Sequence, residues 1–368
     1  MGMTPVFYIE SGSVSGALID FSPTRKNISP VVIPVTQQFV LKESLRTDRL
    51  KIAVTDALKQ VASELSKKAK EGGKKVTTGS IIILGAPWYV SQTTVIKETF
   101  RQPTVVTKKF FDDLIKKAVA NFEKEHASSG NVSLLEQKVI NAVLNGYQTN
   151  DPFNKKATDA RFSLFLSVMP SDLKKQVEET LHAFFSRPIM AWQSAPLALF
   201  GGLRTLPATP NDFLILDTGA EVSELSLVRN NMLIETVSFP LGTSSMLRSM
   251  TTTLNSTYEV IESLVCSTHE QTQNSEMKER VDKALALSGD EWIKLFTSTL
   301  SLLAGGLSLP STLFLISPKG WESTIEAFIK KENYGIVLLA EKSFSIYLIE
   351  AFSTNVLFLR TFQKTKIS

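Results

Sequence analysis

One short pattern occurs twice in this sequence, and it limits the folds open to the chain more than any other feature. An acidic residue is followed by one small polar residue, a glycine and another small residue, each time between two apolar runs. The first copy, Glu10-Ser11-Gly12-Ser13, lies between Val6 to Glu10 and Gly16 to Phe21. The second, Asp217-Thr218-Gly219-Ala220, is entered from Phe213 to Leu216 and left through Glu224 to Val228, which turns at Asn230-Asn231 into Leu233 to Val237. Both read as tight hairpins. A glycine at such a tip lets backbone N–H groups approach phosphate oxygens, and the carboxylate can hold Mg2+ through water. Asp-Thr-Gly is also an ordinary turn sequence. Repetition at the starts of two sheet-bearing halves is what points to a paired clamp.

The chain has 368 residues, enough for two or three domains each with a core. Charged residues make up 21%, hydrophobic residues 43%, and the net charge is +4, a globular balance that does not require nucleic acid as a partner. The single cysteine, Cys266, cannot form an internal disulfide, and the N-terminus lacks a charged and apolar leader, so a cytoplasmic location is expected. Leu295 to Ser317 is the longest membrane candidate. Gly305, Gly306 and Pro310 break it, and it reads as a helix end, a loop and a buried strand. His126, His182 and His269 lie apart from one another, without ligand spacing or the makings of a Ser-His-Asp hydrolase.

Along the chain, Ile52 or Val54, Leu58, Val61 and Leu65 recur at helical spacing before a lysine-rich end. From Gly79 the pattern becomes strand, helix, strand, strand: Ile81 to Gly85, a helix striped by Phe111, Leu114, Ile115, Ala118 and Phe122, then Glu136 to Leu144 and Arg161 to Met169. Ser171 is placed to cap a helix carrying Leu173, Val177, Leu181 and Phe184, and another helix begins around Gln193 to Phe200. Residues 251–304 read as mostly helical. Leu313 to Ile316 and Ile336 to Leu339 read as buried strands flanking a helix from Trp321 to Lys330.

The first hairpin, the Pro196-Leu197-Ala198 helix, the Asp217 hairpin and the trailing Phe239-Pro240-Leu241-Gly242 resemble the ordered motifs of actin-like ATPases. The inserted strand-helix-strand-strand unit is similar to the extra subdomain of the FtsA and PilM branch. FtsA links the division ring to the membrane, and PilM is the cytoplasmic platform of type IV pili. The resemblance implies an α/β, actin-like (ribonuclease H-like) two-lobed fold. Its first lobe would take residues 1–78 and 171–205, the insertion 79–170, the second lobe 206–250 and 311–368, and a mainly helical subdomain 251–310. It also implies a site for ATP and Mg2+, with Glu10, Gly12 and Ser13 at the first phosphate loop, Asp217, Gly219 and Ser223 at the second, and Glu259 toward the ribose or adenine. Glu10 and Asp217 would be the metal-binding pair.

The sequence departs from that pattern. Glu10 stands where the family usually has Asp, and Ala17 where a basic residue is sometimes found. Ala195 takes the place of the acid or amide that orients attacking water, Glu262 that of a lysine, and Ser317-Pro318 that of a glycine pair. Phosphoryl transfer to water depends on positioning and electrostatics, so the loss at Ala195 argues against hydrolysis. Glu262 and Ser317-Pro318 weigh against nucleotide binding, and Gln193 is a poor substitute for the missing amide. No residue is assigned a catalytic role. The expected function is a scaffold or adaptor for a membrane-associated machine, pilus assembly or division, with a degenerate site. A polymerising ATPase is the alternative, and a small-molecule kinase comes third for want of a base near the second hairpin. Expected partners are proteins: an inner-membrane pilus peptide, an FtsZ-like protein or another copy of the chain. Contact with the membrane would be through a partner, since Val356 to Lys364 is too short a helical pattern for an interfacial anchor and Met1-Gly2 lacks a myristoylation motif.

Overall fold

The computed structural model describes residues 2–20, 32–38, 47–126, 130–149, 151–206, 208–266, 275–338 and 343–349. His269, Leu339 and the Val356 to Lys364 tail lie outside them. The first part of the chain forms β1 (Gly2–Ile9), β2 (Ser13–Asp20), β3 (Val32–Gln38), α1 (Thr47–Glu71), β4 (Lys75–Val76) and β5 (Ile81–Leu84). It continues through β6 (Val90–Val105), α2 (Lys108–His126), β7 (Val132–Leu144), β8 (Tyr147–Gln148) and β9 (Lys156–Pro170), then α3 (Ser171–His182), β10 (Ala191–Ser194) and α4 (Ala195–Leu203). The remainder forms β11 (Phe213–Thr218), β12 (Ser223–Arg229), β13 (Met232–Phe239), α5 (Thr243–Leu254), α6 (Tyr258–Cys266), α7 (Ser275–Ala304), β14 (Thr312–Ile316), α8 (Glu322–Lys330) and β15 (Ser345–Leu348).

Two of the three sheets share one plan. The first runs β3-β2-β1-β5-β10, with β4 also pairing β1, and the second runs β13-β12-β11-β14-β15. In each, the first three strands in sequence form an antiparallel meander, and two later strands join parallel to the first of them. A parallel neighbour requires a crossover. In the first lobe the crossover from β1 to β5 contains α1, and in the second lobe α5, α6 and α7 lie between β11 and β14. The Asn230-Asn231 turn adopts φ of 50° and 60°, the left-handed conformation that a two-residue hairpin needs and asparagine tolerates.

Side-chain alternation sorts these strands between two layers. Phe7, Ile9, Ile82 and Leu84 pack beneath α1 and α3. Val6, Tyr8, Ile81 and Ile83 face the other way, into a cluster shared with Phe213, Ile215, Phe314 and Ile316 of the second sheet and with α4. Burial on both faces explains why these strands read as continuous apolar runs. Leu214, Leu216 and Leu315 belong to a separate core under α5, α7 and α8, centred on Trp292 and Phe296.

Gly16 shows how closely α1 approaches the first sheet. A Cβ there would lie 2.6 Å from Val61 Cγ1 and 2.7 Å from Leu65 Cδ1. Gly16→Ala is expected to destabilise the protein by about 1–3 kcal/mol through overpacking, read as a lower urea midpoint at unchanged slope.

The third sheet, β6-β9-β7-β8, is antiparallel and carries α2 through Phe111, Leu114 and Phe122. It corrects the reading of Ile81 to Gly85 as the first strand of the insertion. Those residues pair with β1 and β10 in the first sheet, and the insertion opens with β6, whose polar sequence lacks an apolar run. Gln193 lies in strand β10, and the helix starts two residues later at Ala195. Ser171 is the first helical residue rather than the cap; its hydroxyl pairs with Ser133 at 2.7 Å. Ile336 is 99% exposed in a turn, and the strand beside β14 is β15. Leu295 to Ser317 divides as expected into the end of α7, a turn at Gly305 and Gly306, and buried β14. Among the described residues no helix is long and apolar enough to cross a membrane.

Candidate functional site

The alternation that buries Val6 and Tyr8 between the sheets carries Glu10 to the same face. On β11 it does likewise for Asp217 after Phe213 and Ile215. The two acidic hairpins therefore meet at the junction of the lobes. They touch directly. Tyr8 donates its hydroxyl to Asp217 Oδ2 at 3.0 Å, and the Glu221 N–H donates to Ser11 Oγ at 3.0 Å. The space left among Tyr8, Glu10, Asp217, Gly219 and Glu224 is about 10 Å³, room for one water molecule.

The backbone groups of the second tip are committed within the protein. Gly219 donates its N–H to Val222 O at 3.0 Å and accepts at its carbonyl from Thr243 N at 3.1 Å. Ala220 O accepts from Ser244 N at 2.8 Å, so the first turn of α5 directs its otherwise unpaired donors at the hairpin. Gly242 permits this contact: a Cβ there would lie 2.4 Å from the carbonyl oxygens of both Gly219 and Ala220. Glu221 is held by Arg248, whose Nη1 and Nη2 donate at 2.6 and 2.5 Å, and by Ser245 Oγ at 3.0 Å.

Two further acids, buried Glu224 and half-buried Glu136, complete the junction. Tyr89, on the connection after β5, donates to Glu224 Oε2 at 2.5 Å. Glu136 of β7 accepts from Ser194 N at 2.9 Å, from Ser167 Oγ at 3.1 Å and from the Ser194 hydroxyl. Burial pushes Glu224 and Glu136 up to about 7, against the opposing hydrogen bonds from Tyr89 and from Ser194 respectively. Asp217 is raised well above the ordinary range by burial and then by the charges of Glu10 and Glu224. Glu10 is raised by burial, offset by Ser13 and Tyr8.

Glu10, Asp217 and Gly219 thus line one small cavity. Ser13 donates to Glu10 Oε2 at 2.6 Å, and Gly12 lies between them in the same turn. Ser223 is directed into the second core, where it donates to Leu241 O at 2.7 Å and accepts from Trp292 Nε1 at 3.0 Å. Glu259 is exposed on the first turn of α6 and is not among the residues lining the cavity. Tyr8, Ser11, Tyr89, Glu136, Glu221, Glu224 and Arg248 belong to the junction and were not foreseen. Glu224 carried a usable signal, as an acid beside Leu225, Leu227 and Val228 in the strand that leaves the second hairpin tip.

The space between the two hairpin tips does not admit ATP and Mg2+. A Mg2+ ion keeps several of its waters, and a triphosphate is larger still, whereas the cavity takes one water. Among the described residues no group of three or more His, Cys, Asp or Glu side chains could hold a metal ion.

Two sheets of identical plan facing one another, with an α/β unit inserted in the first lobe, are the actin-like fold, and this chain has it. It resembles the solved PilM-PilN type IV pilus biogenesis complex at a TM-score of 0.63 and 12% identity, over 95% of this chain and 89% of that one. Lesser likenesses are to the ethanolamine utilization protein EutJ from Carboxydothermus hydrogenoformans (TM-score 0.48, 10% identity, 98% and 90% covered) and a Bacteroides thetaiotaomicron protein with actin-like ATPase fold and unknown function (0.47, 10%, 98% and 95%). No protein-family model and no curated protein matches the sequence.

Proposed function

We propose that this chain is a PilM-like scaffold whose actin-type cleft serves to join its lobes rather than to turn over nucleotide. The observation that carries this reading is the direct contact of the two hairpins, Ser11 to Glu221 and Tyr8 to Asp217, around a cavity of about 10 Å³. Ala195 adds to it: the position that orients attacking water in active relatives holds a fully buried methyl group. The scaffold would work at the cytoplasmic face of a membrane, held there by a protein partner of the pilus-assembly kind, with the insertion as binding surface. The likeness to the PilM-PilN complex supports that choice over a division role.

Millimolar MgATP is expected to raise the melting temperature by less than roughly 2 °C, because a ligand near its dissociation constant adds well under a kcal/mol. A larger shift with brisk phosphate release would restore the ATPase reading. Recovery of division proteins instead of pilus proteins in a pull-down from the native cell would overturn the pathway.

A further inference from the structure

Three hydrogen-bonded ties meet at the junction, each joining different parts of the chain. Tyr8 to Asp217 joins the first sheet to the second. Tyr89 to Glu224 joins the connection leading to the insertion with the second sheet. Glu136, on the insertion, accepts from Ser194 at the end of β10 in the first lobe. Two of the ties end on the buried carboxyl groups of Asp217 and Glu224 and the third on half-buried Glu136, so every tie has a protonation state.

We infer that the junction is a proton-operated latch, in which the carboxyl groups of Asp217 and Glu224 hold the cleft shut while protonated and let it open as they ionise.

The groups facing one another are Tyr8 and Glu10 from the first hairpin, Tyr89, Glu136 and Lys138 from the insertion and its connection, and Asp217 and Glu224 from the second hairpin. Lys138 is the cation acting on Glu136, and the charges acting on Asp217 are those of Glu10 and Glu224. Burying an unbalanced carboxylate is costly, and opening removes that cost by admitting water. The closed form therefore binds more protons than the open one. An acid whose pKa is raised in the closed form stabilises it fully at low pH, and this advantage is lost as pH rises from the ordinary carboxylate range through about 7 for Glu224.

The inference rests on the closed junction, not on the identity of any partner. The test is native-state hydrogen exchange of the Glu221 amide, which donates to Ser11 across the cleft, corrected for the intrinsic pH dependence of exchange. Between pH 6 and pH 8 its protection is expected to fall at least about tenfold, the signature of one or more protons released on opening. Glu224→Gln, a neutral isostere that keeps an acceptor for Tyr89, is expected to reduce that dependence and to raise protection at pH 8 above that of the unaltered protein. An infrared titration of the unaltered protein gives the same answer without a variant: protonated carboxyl absorption should persist at pH 6 and fall between pH 6 and pH 8. Constant protection across this range, or full ionisation already at pH 6, overturns the latch. Either result leaves the MgATP melting experiment to decide the scaffold reading by itself.

Discussion

Replacing Arg248 with alanine is expected to destabilise the protein by roughly 3–5 kcal/mol, the cost of leaving a buried carboxylate without its partner. Glu221 is 2% exposed and accepts both guanidinium nitrogens. The same residue donates its backbone N–H to Ser11, so the loss should also loosen the first hairpin's hold on the second. Urea unfolding measures the stability, and the double variant Glu221→Gln with Arg248→Met separates the causes. Removing both charges should restore much of what the single change loses. A double variant no more stable than Arg248→Ala would mean that Arg248 acts through packing and not as the counter-ion of Glu221.

Trp292→Ala should cost about 3–5 kcal/mol, the range for truncating a large buried aromatic residue. Trp292 is fully buried on α7, stacks on Phe296 with centroids 5.1 Å apart, and donates its indole N–H to Ser223. The change opens a cavity in the second core and takes one partner from the Ser223 hydroxyl. Trp292→Phe keeps most of the volume and loses the hydrogen bond, so its smaller loss isolates the polar part. The urea midpoint of each variant checks both expectations.

The fold was legible because its two organising signals are local. The acidic small-residue tips and the apolar runs beside them follow from hairpin chemistry and from strands buried on both faces. The internal duplication is visible in Val6 to Phe21 set against Phe213 to Val228. β6 was not legible: Val90–Val105 has no buried residue and is rich in Thr, and an exposed antiparallel strand needs no apolar run. The Ile336 reading failed for a related reason, since a short apolar run fits a turn as well as a strand.

At the site, the sequence placed the acids and left their relation unstated. Nothing local says that the Ser11 hydroxyl would meet the Glu221 amide or that Tyr89 would reach Glu224, because both contacts join residues more than a hundred positions apart. Ser223 was placed at the second phosphate loop only as the resemblance to actin-like ATPases implies. Its strand is buried on both sides, and the face it occupies belongs to Trp292.

The most direct test of the closed cleft is a crystal structure from crystals grown in excess of a non-hydrolysable MgATP analogue. The expected density has Ser11 hydrogen-bonded to the Glu221 amide and Tyr8 to Asp217, with no nucleotide between the hairpins. Phosphates seated between Gly12 and Gly219, with those two bonds broken, would contradict the account at its centre.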